Sequence, residues 1–298
     1  GVVDVDRNRA TYFADQFKIK YYYTDIERAI KNVRPDLISI AVPYKFHYNI
    51  VKKICLNKIR PQIIFCEKPI ADTVEKAVEM NLLCENSNIR LFVNNRRLTP
   101  IYRDLKKVIK KKFDNKVITV NTWCSSGLHA IGIHMIELLR MVIGEIKWVY
   151  AIQEKERVES LPFSANFEPD DPRVQAMIGF KNGIVGNFIN SALTSFTYFE
   201  IEILCRNGKV RVSDNGEKLE YWQPSPPKGS TLSYKLNAPK TIKIASSGTL
   251  FAEIASSIAK NIDTGNDHPL SAQHGIESYR VLDAMVRSAK MGKMIGLK

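Results

Sequence analysis

Ile63-Ile64-Phe65-Cys66-Glu67-Lys68-Pro69-Ile70-Ala71 is the stretch on which the fold turns. Apolar residues of strand character run without alternation into a Glu-Lys pair and a proline. That is the pattern of a strand buried on both faces, ending with a charged amine at the carboxyl edge of a parallel sheet. Ligands of open α/β sheets bind at that edge.

The flanking sequence keeps a strand–helix rhythm. Leu37 to Val42 reads as a second buried strand, closed by Pro43 and followed by a helix from His47 through Ile50, Val51 and Ile54. Before it, Gly1-Val2-Val3-Asp4-Val5-Asp6 reads as a strand ending in acid. Lys20 to Tyr23 reads as a short strand, and Thr24-Asp25-Ile26-Glu27 as a Thr-x-x-Glu capping box opening a helix that ends near Val33. A helix over about 72–86, a strand over Arg90 to Asn94 and a helix from Pro100 to Phe113 continue the βαβ series. A carboxylate ending a strand of this kind can accept both ribose hydroxyls of a dinucleotide, which makes Asp4 a candidate; Asp4 or Asp6 equally suits the cap of the next helix.

Near Lys116 the rhythm changes. Strands are expected at 117–120, 146–153, 174–180, 184–189, 198–205 and 209–212, with hairpin turns at Asn182-Gly183 and Asn207-Gly208. A helix is expected from Ala130 to Ile143, a loop over Gln223 to Ser230, and two closing helices at about 248–263 and 272–291. The fold class is thus α/β plus α+β. Residues 1–115 form a Rossmann-type, doubly wound parallel sheet, and residues 116–298 an α+β unit with a large, mostly antiparallel sheet and flanking helices, the closing helix packing back toward the first unit.

Composition narrows the partners. The 298 residues are 45% hydrophobic and 25% charged, and 44 Lys+Arg against 31 Asp+Glu leave a net charge of +13. Such a surplus favours anionic ligands, and it would also suit a nucleic-acid surface. The lysine-rich helix Tyr102 to Lys112 has Leu105, Val108 and Ile109 on its other side and no aromatics among its lysines, which reads as a solvated face. The five scattered cysteines contain no CxxC pair, arguing against a disulfide framework or a zinc site and for a reducing cytoplasm. No apolar run reaches the length of a membrane span, and nothing at the N-terminus marks export.

Four motifs in order carry a family resemblance: Val42-Pro43 followed by His47; Cys66-Glu67-Lys68-Pro69; Asn95-Arg96-Arg97 before Pro100; and Gly132-Ile133-His134 running on to Gly144. Together they resemble the glucose-fructose oxidoreductase, inositol dehydrogenase and rhizopine catabolism (Gfo/Idh/MocA) family of nicotinamide-dependent sugar oxidoreductases. The resemblance implies hydride transfer between NAD or NADP and a secondary alcohol of a sugar, cyclitol or nucleotide-sugar. Lys68 and His134 would flank the reacting carbon, His134 as acid/base and Lys68 on the hydroxyl oxygen. Read alone, His134 is a satisfied histidine near a helix start and Lys68 a surface lysine. Asp4, Val42, Pro43, His47, Glu67 and Lys68 would hold the cofactor, while Arg97, His129, His134 and Lys68 would hold the substrate. Asp4 favours NAD, because a 2′-phosphate would meet a carboxylate, whereas nearby Arg7 or Arg9 would suit NADP. A homodimer or homotetramer through the second unit's sheet is implied; no metal, nucleic acid or membrane is.

Two departures stand out. Ala130 occupies the position of the Asp in the family's Asp-x-Gly-x-His motif. Moreover, no Gly-x-Gly-x-x-Gly turn occurs in the 298 residues, so the chain is expected to begin at the second strand of a Rossmann unit. Both features also suit a catalytically silent binding or regulatory homologue that keeps the fold.

Overall fold

The computed structural model describes residues 1–154, 170–191, 194, 196–226, 234–244, 250–264 and 268–297. The chain divides into two compact units, residues 1–94 with 261–276, and residues 95–260 with 277–298.

In the first unit β1 (Val2–Val3) pairs in parallel with β2 (Tyr22–Tyr23). A separate parallel sheet has the order β3 (Leu37–Ile40), β4 (Ile63–Cys66), β5 (Arg90–Val93). Helices α1 (Arg7–Gln16), α2 (Ile26–Val33), α3 (His47–Leu56) and α4 (Val74–Asn86) alternate with these strands, as parallel pairing requires. Central β4 buries Ile63, Ile64 and Cys66 completely, which explains its unbroken apolar sequence. The outer edge of β5 is closed by residues 268–271: Val93 N donates to Leu270 O at 2.8 Å, Phe92 bridges Ser271, and the His268 ring stands edge-on to Phe92.

Helix starts follow short acidic caps. Asp6 caps α1, its carboxylate accepting from the Asn8 and Arg9 amides, so the cap falls on Asp6 and not on Asp4. The expected Thr24 box does not form: Asp25 caps α2 by accepting from Arg28 N at 2.8 Å, one residue later than the pattern implies. Either side chain can cap, and here the helix begins at the carboxylate.

The second unit comprises α5 (Pro100–Phe113), β6 (Val117–Ser125), a π-helical turn at Leu128–Gly132, α6 (Ile133–Val142), β7 (Ile146–Gln153), β8 (Val174–Phe180), β9 (Val185–Ser191), β10 (Phe199–Cys205), β11 (Gly208–Ser213) and β12 (Lys218–Trp222). The short pair β13 (Pro224–Ser225) and β14 (Lys235–Leu236), β15 (Lys240–Ile242), and β16 (Ile295–Gly296) complete the strands, and α7 (Leu250–Thr264) and α8 (Ala272–Met291) the helices, the end of α7 and the start of α8 falling within residues 261–276 of the first unit. Nine strands form one sheet in the order β15-β12-β11-β10-β6-β9-β8-β7-β16, antiparallel throughout except for the parallel β6–β9 pair. Both Asn-Gly turns make the hairpins they signal. Part of the expected 223–230 loop is β13, whereas residues 227–230 and helix residues 248–249 lie outside the described residues. The helix expected from Ala130 opens two residues earlier, as the π turn.

Helix α5 buries Leu105, Val108, Ile109 and Phe113, with Phe113 edge-on to Tyr221 of β12, and leaves its lysines in solvent. In the β10–β11 turn Gly208 has φ +135°, and a Cβ there would collide with the Trp222 carbonyl of β12. Backbone cannot yield as a side-chain tip can, so Gly208→Ala is expected to destabilise the protein by about 2–4 kcal/mol, combining steric overlap and a disfavoured φ. Denaturant unfolding checks it, and a loss below about 0.5 kcal/mol would contradict this geometry.

Candidate active site

In the first unit, chemistry concentrates where β4 ends. Glu67 is fixed at both oxygens: Oε1 accepts from Asn94 Nδ2 at 2.6 Å, just beyond β5, and Oε2 from the Lys68 amide at 3.3 Å. A cis peptide joins Lys68 to Pro69. His47, at the start of α3, is fully buried, and both of its ring nitrogens face carbonyl oxygens: Nε2 to Val42 O at 2.8 Å and Nδ1 to Ile70 O at 3.2 Å. The ring therefore ties the turn after β3 to the turn after β4. Val42 and Pro43 themselves are exposed.

Asp4, just past β1, is spared capping duty. Its Oδ1 accepts from Asp6 N at 2.8 Å and lies 3.1 Å from an Arg9 guanidinium nitrogen. A strand-end carboxylate, an apolar Val-Pro turn and a Glu-Lys pair each stand at the carboxyl end of a parallel strand, Asp4 after β1 and the other two after β3 and β4. The pyrophosphate has no corresponding glycine turn among residues 1–298.

In the second unit, His134 sits near the start of α6, 6% exposed, with Tyr102 of α5 donating to its carbonyl at 3.0 Å. One turn on, the buried Glu137 carboxylate accepts from Arg97 Nε at 2.5 Å on one oxygen, and from Arg140 at 3.3 Å and Ser278 on the other. Arg97, expected at substrate, thus spends its Nε on a buried carboxylate. No sequence signal marked Glu137 as its partner, 40 residues away.

His129 has a partner that no motif announced. Asp171, 6% exposed, reaches the π turn from the segment before β8. Its Oδ1 accepts from both the His129 amide (2.9 Å) and His129 Nδ1 (2.8 Å), while Oδ2 accepts from the Ala130 amide at 2.9 Å. Leu128 N donates to Pro172 O at 2.8 Å, so three amides at this helix start are satisfied from 171–172. Gly127 makes room, because a Cβ there would overlap the Asp171 carboxylate. Among the described residues, no helix is long and apolar enough to cross a membrane.

A parallel nucleotide-binding-type unit joined to a unit built on a broad, mostly antiparallel sheet defines a two-domain oxidoreductase fold. Two family models match: the oxidoreductase family, NAD-binding Rossmann fold, over residues 1–95, and the GFO/IDH/MocA C-terminal domain over residues 113–211. The chain belongs to the Gfo/Idh/MocA oxidoreductase family. It is 27% identical over 166 residues to D-apiose dehydrogenase of Rhizobium rhizogenes, a match spanning 49% of this chain and 46% of that protein, less than half of the relative's length. In fold it resembles levoglucosan dehydrogenase in complex with NADH and levoglucosan (TM-score 0.81, 20% identity, 99% of this chain and 89% of that one). It also resembles the WlbA dehydrogenase of Bordetella pertussis in complex with NADH and UDP-GlcNAcA (TM-score 0.74, 19% identity, 99% and 89%).

Burial pushes the His47 ring below the ordinary imidazole value of 6.5, against the pull of its carbonyl partners and Glu67. A group that titrates lower folded than unfolded binds fewer protons in the folded chain. Its stabilising contribution is therefore present above pH 6.5 and is lost as pH falls below that toward the folded value. Between about pH 7 and about pH 5 the wild-type melting temperature should fall more steeply than that of His47→Gln. Equal slopes would remove His47 as the cause.

Proposed function

We propose that this chain is part of an NAD-dependent oxidoreductase that moves hydride between the nicotinamide and a secondary alcohol of a sugar, cyclitol or nucleotide-sugar. The observation that carries the reading is the Glu67-Lys68 turn at the carboxyl edge of a parallel sheet, braced by Asn94 and His47, in a chain matching both halves of the family. Relatives by sequence or fold support the substrate class, being a D-apiose dehydrogenase and dehydrogenases in complex with levoglucosan or UDP-GlcNAcA. The protein's net positive charge favours the anionic members of that class.

Bound nicotinamide supplies the acceptor for the hydride of the carbinol carbon. The chain's own residues handle the oxygen and its proton. His134 takes the hydroxyl proton as the carbonyl forms and returns it in the reverse direction. Lys68, through Nζ, donates to the same oxygen and steadies its developing negative charge. Glu67, clamped by Asn94 and the Lys68 amide, fixes the turn that carries this amine. Asp4 holds the adenosine ribose diol, with Val42, Pro43 and the His47-braced turn beside the nicotinamide end. Asp4 also argues for NAD, since a 2′-phosphate would meet its carboxylate; Arg9, paired to Asp4, is the cation that such a phosphate would draw away. His129 and His134 face the sugar, while Arg97 holds the buried Glu137 behind them.

The second reading, a silent binding homologue, draws on Ala130 at the motif position. Binding of NADH and NADPH by fluorescence, and turnover of D-apiose, levoglucosan and UDP-GlcNAcA, separate the two readings. Cofactor binding without turnover favours the silent homologue, and no binding of either cofactor sinks the oxidoreductase. For an active enzyme, Lys68→Ala and His134→Ala should each lower kcat by about 10²–10⁴-fold while leaving the Kd for NADH within about threefold. Loss of cofactor binding in both variants would show the roles to be misassigned.

Oligomers through the sheet have a physical basis as well. Registers put Tyr150, Ile152, Met177, Val185 and Leu204 on one face, all exposed in the single chain. Toward β11 and β12 that face turns charged, with Lys209–Glu202 and Arg211–Glu200 pairs. A homodimer or homotetramer that covers the apolar part should dissociate in Met177→Glu, seen as a fall in mass by light scattering; a monomeric wild type would contradict it.

A further inference from the structure

Ala130 deletes a carboxylate from the motif, but the fold returns one to the same backbone position. Asp171 Oδ2 lies 2.9 Å from the Ala130 amide, and Oδ1 grips His129 at amide and ring. The helix here is also not an α-helix. Gly132 N bonds to Gly127 O at 3.0 Å and Ile133 N to Leu128 O, two successive bonds five residues apart. Each residue of such a widened turn advances by a smaller angle than the roughly 100° of an α-helix. His129, five positions before His134, is thereby rotated toward the face that the fourth position before His134 holds in a regular helix.

We propose that the His129–Asp171 pair replaces the absent motif carboxylate, Asp171 acting as a positioning residue that keeps the His129 proton on Nδ1 so that Nε2 accepts a hydrogen bond from a substrate hydroxyl. The role rests on the oxidoreductase reading above. A buried carboxylate on one imidazole nitrogen fixes ring orientation and tautomer together, the arrangement by which enzymes present the other nitrogen to a ligand. The Asp171 oxygens are committed to three N–H donors of one helix turn, so the carboxylate itself is not the group that meets substrate. The ligand class is a polyhydroxylated one, with a hydroxyl to spare beside the one oxidised.

The competing role for Asp171 is a remote helix cap that stabilises the turn and does nothing more. Two readouts separate the roles in the full chain. In ¹⁵N-edited NMR the neutral His129 ring is expected to carry its proton on Nδ1 in wild type and to shift toward the Nε2-protonated form in Asp171→Asn. In turnover with whichever of D-apiose, levoglucosan or UDP-GlcNAcA the wild type oxidises, Asp171→Asn and His129→Gln should each lower kcat/KM about 10–100-fold. The double variant should be no worse than either single one, and Ala130→Asp placed in the Asp171→Asn background should recover part of the loss. His129→Gln leaves the Asp171 bonds to the His129 and Ala130 amides in place, so it tests the ring even if Asp171→Asn folds poorly. An Nε2-protonated wild-type ring, His129→Gln turnover within about twofold of wild type, or Asp171→Asn lowering the melting temperature alone would each overturn the proposal. A wild type inert toward all three compounds with NAD and NADP instead sinks the oxidoreductase reading, and the role in it, at once.

Discussion

Glu137 is a carboxylate taken almost wholly out of water, and the helix that carries His134 is held through it. Desolvating one such charge costs several kcal/mol unless every lone pair is used, and here both oxygens are engaged: one by Arg97, the other by Arg140 and Ser278. The three donors come from the segment before α5, from α6 itself and from α8. The ionic contact therefore fixes three pieces of the second unit against one another at a point one turn from His134. A buried pair of this kind adds little net stability compared with well-packed apolar residues. Its consequence is geometric, because with Arg97 gone one oxygen of a buried charge would lose the donor it has here, and the helix could not relax around it without admitting water.

The first unit solves the analogous problem with neutral groups. A strand ending in Glu-Lys must present its amine on a turn, and turns carry backbone carbonyls that need partners. His47 supplies both for one ring, at Val42 and Ile70, and Asn94 fixes the glutamate. Burial disfavours the imidazolium that two carbonyl partners would prefer. In a neutral ring only one nitrogen donates, so the brace is strained electrostatically, and its charge state is coupled to the geometry of the two turns.

Most of the architecture was legible because it rests on local signals. The unbroken apolar run at 63–66 announced a buried central strand, Asn182-Gly183 and Asn207-Gly208 announced hairpins, and the spacing of Leu105, Val108 and Ile109 announced the buried side of α5. Local signals also failed where two neighbours offered the same chemistry, as when Asp25 and not Thr24 capped α2. The sequence could not reveal contacts whose partners lie about 40 residues apart, Arg97 with Glu137 and His129 with Asp171, because no periodicity links them. The π turn was hidden for a different reason. Residues Leu128–Gly132 have ordinary helical character, and their first amides are capped from Asp171 and Pro172, which no local pattern announces.

A motif with a missing residue is tied to the helix geometry it presupposes. A spacing pattern such as Asp-x-Gly-x-His encodes positions on an α-helix, so its reading assumes a turn of 3.6 residues. Once the helix opens into a π turn, the assumption lapses and the residue aligned by spacing is no longer the one aligned in space. Ala130 is then an absence in the sequence but not in the charge distribution, for the Asp171 carboxylate bonds to its amide. The same carboxylate that caps the turn also grips the neighbouring imidazole, so backbone and side chain at this point share one partner. The carboxylate nearest this backbone position thus belongs to a residue 41 positions downstream, outside the reach of the motif.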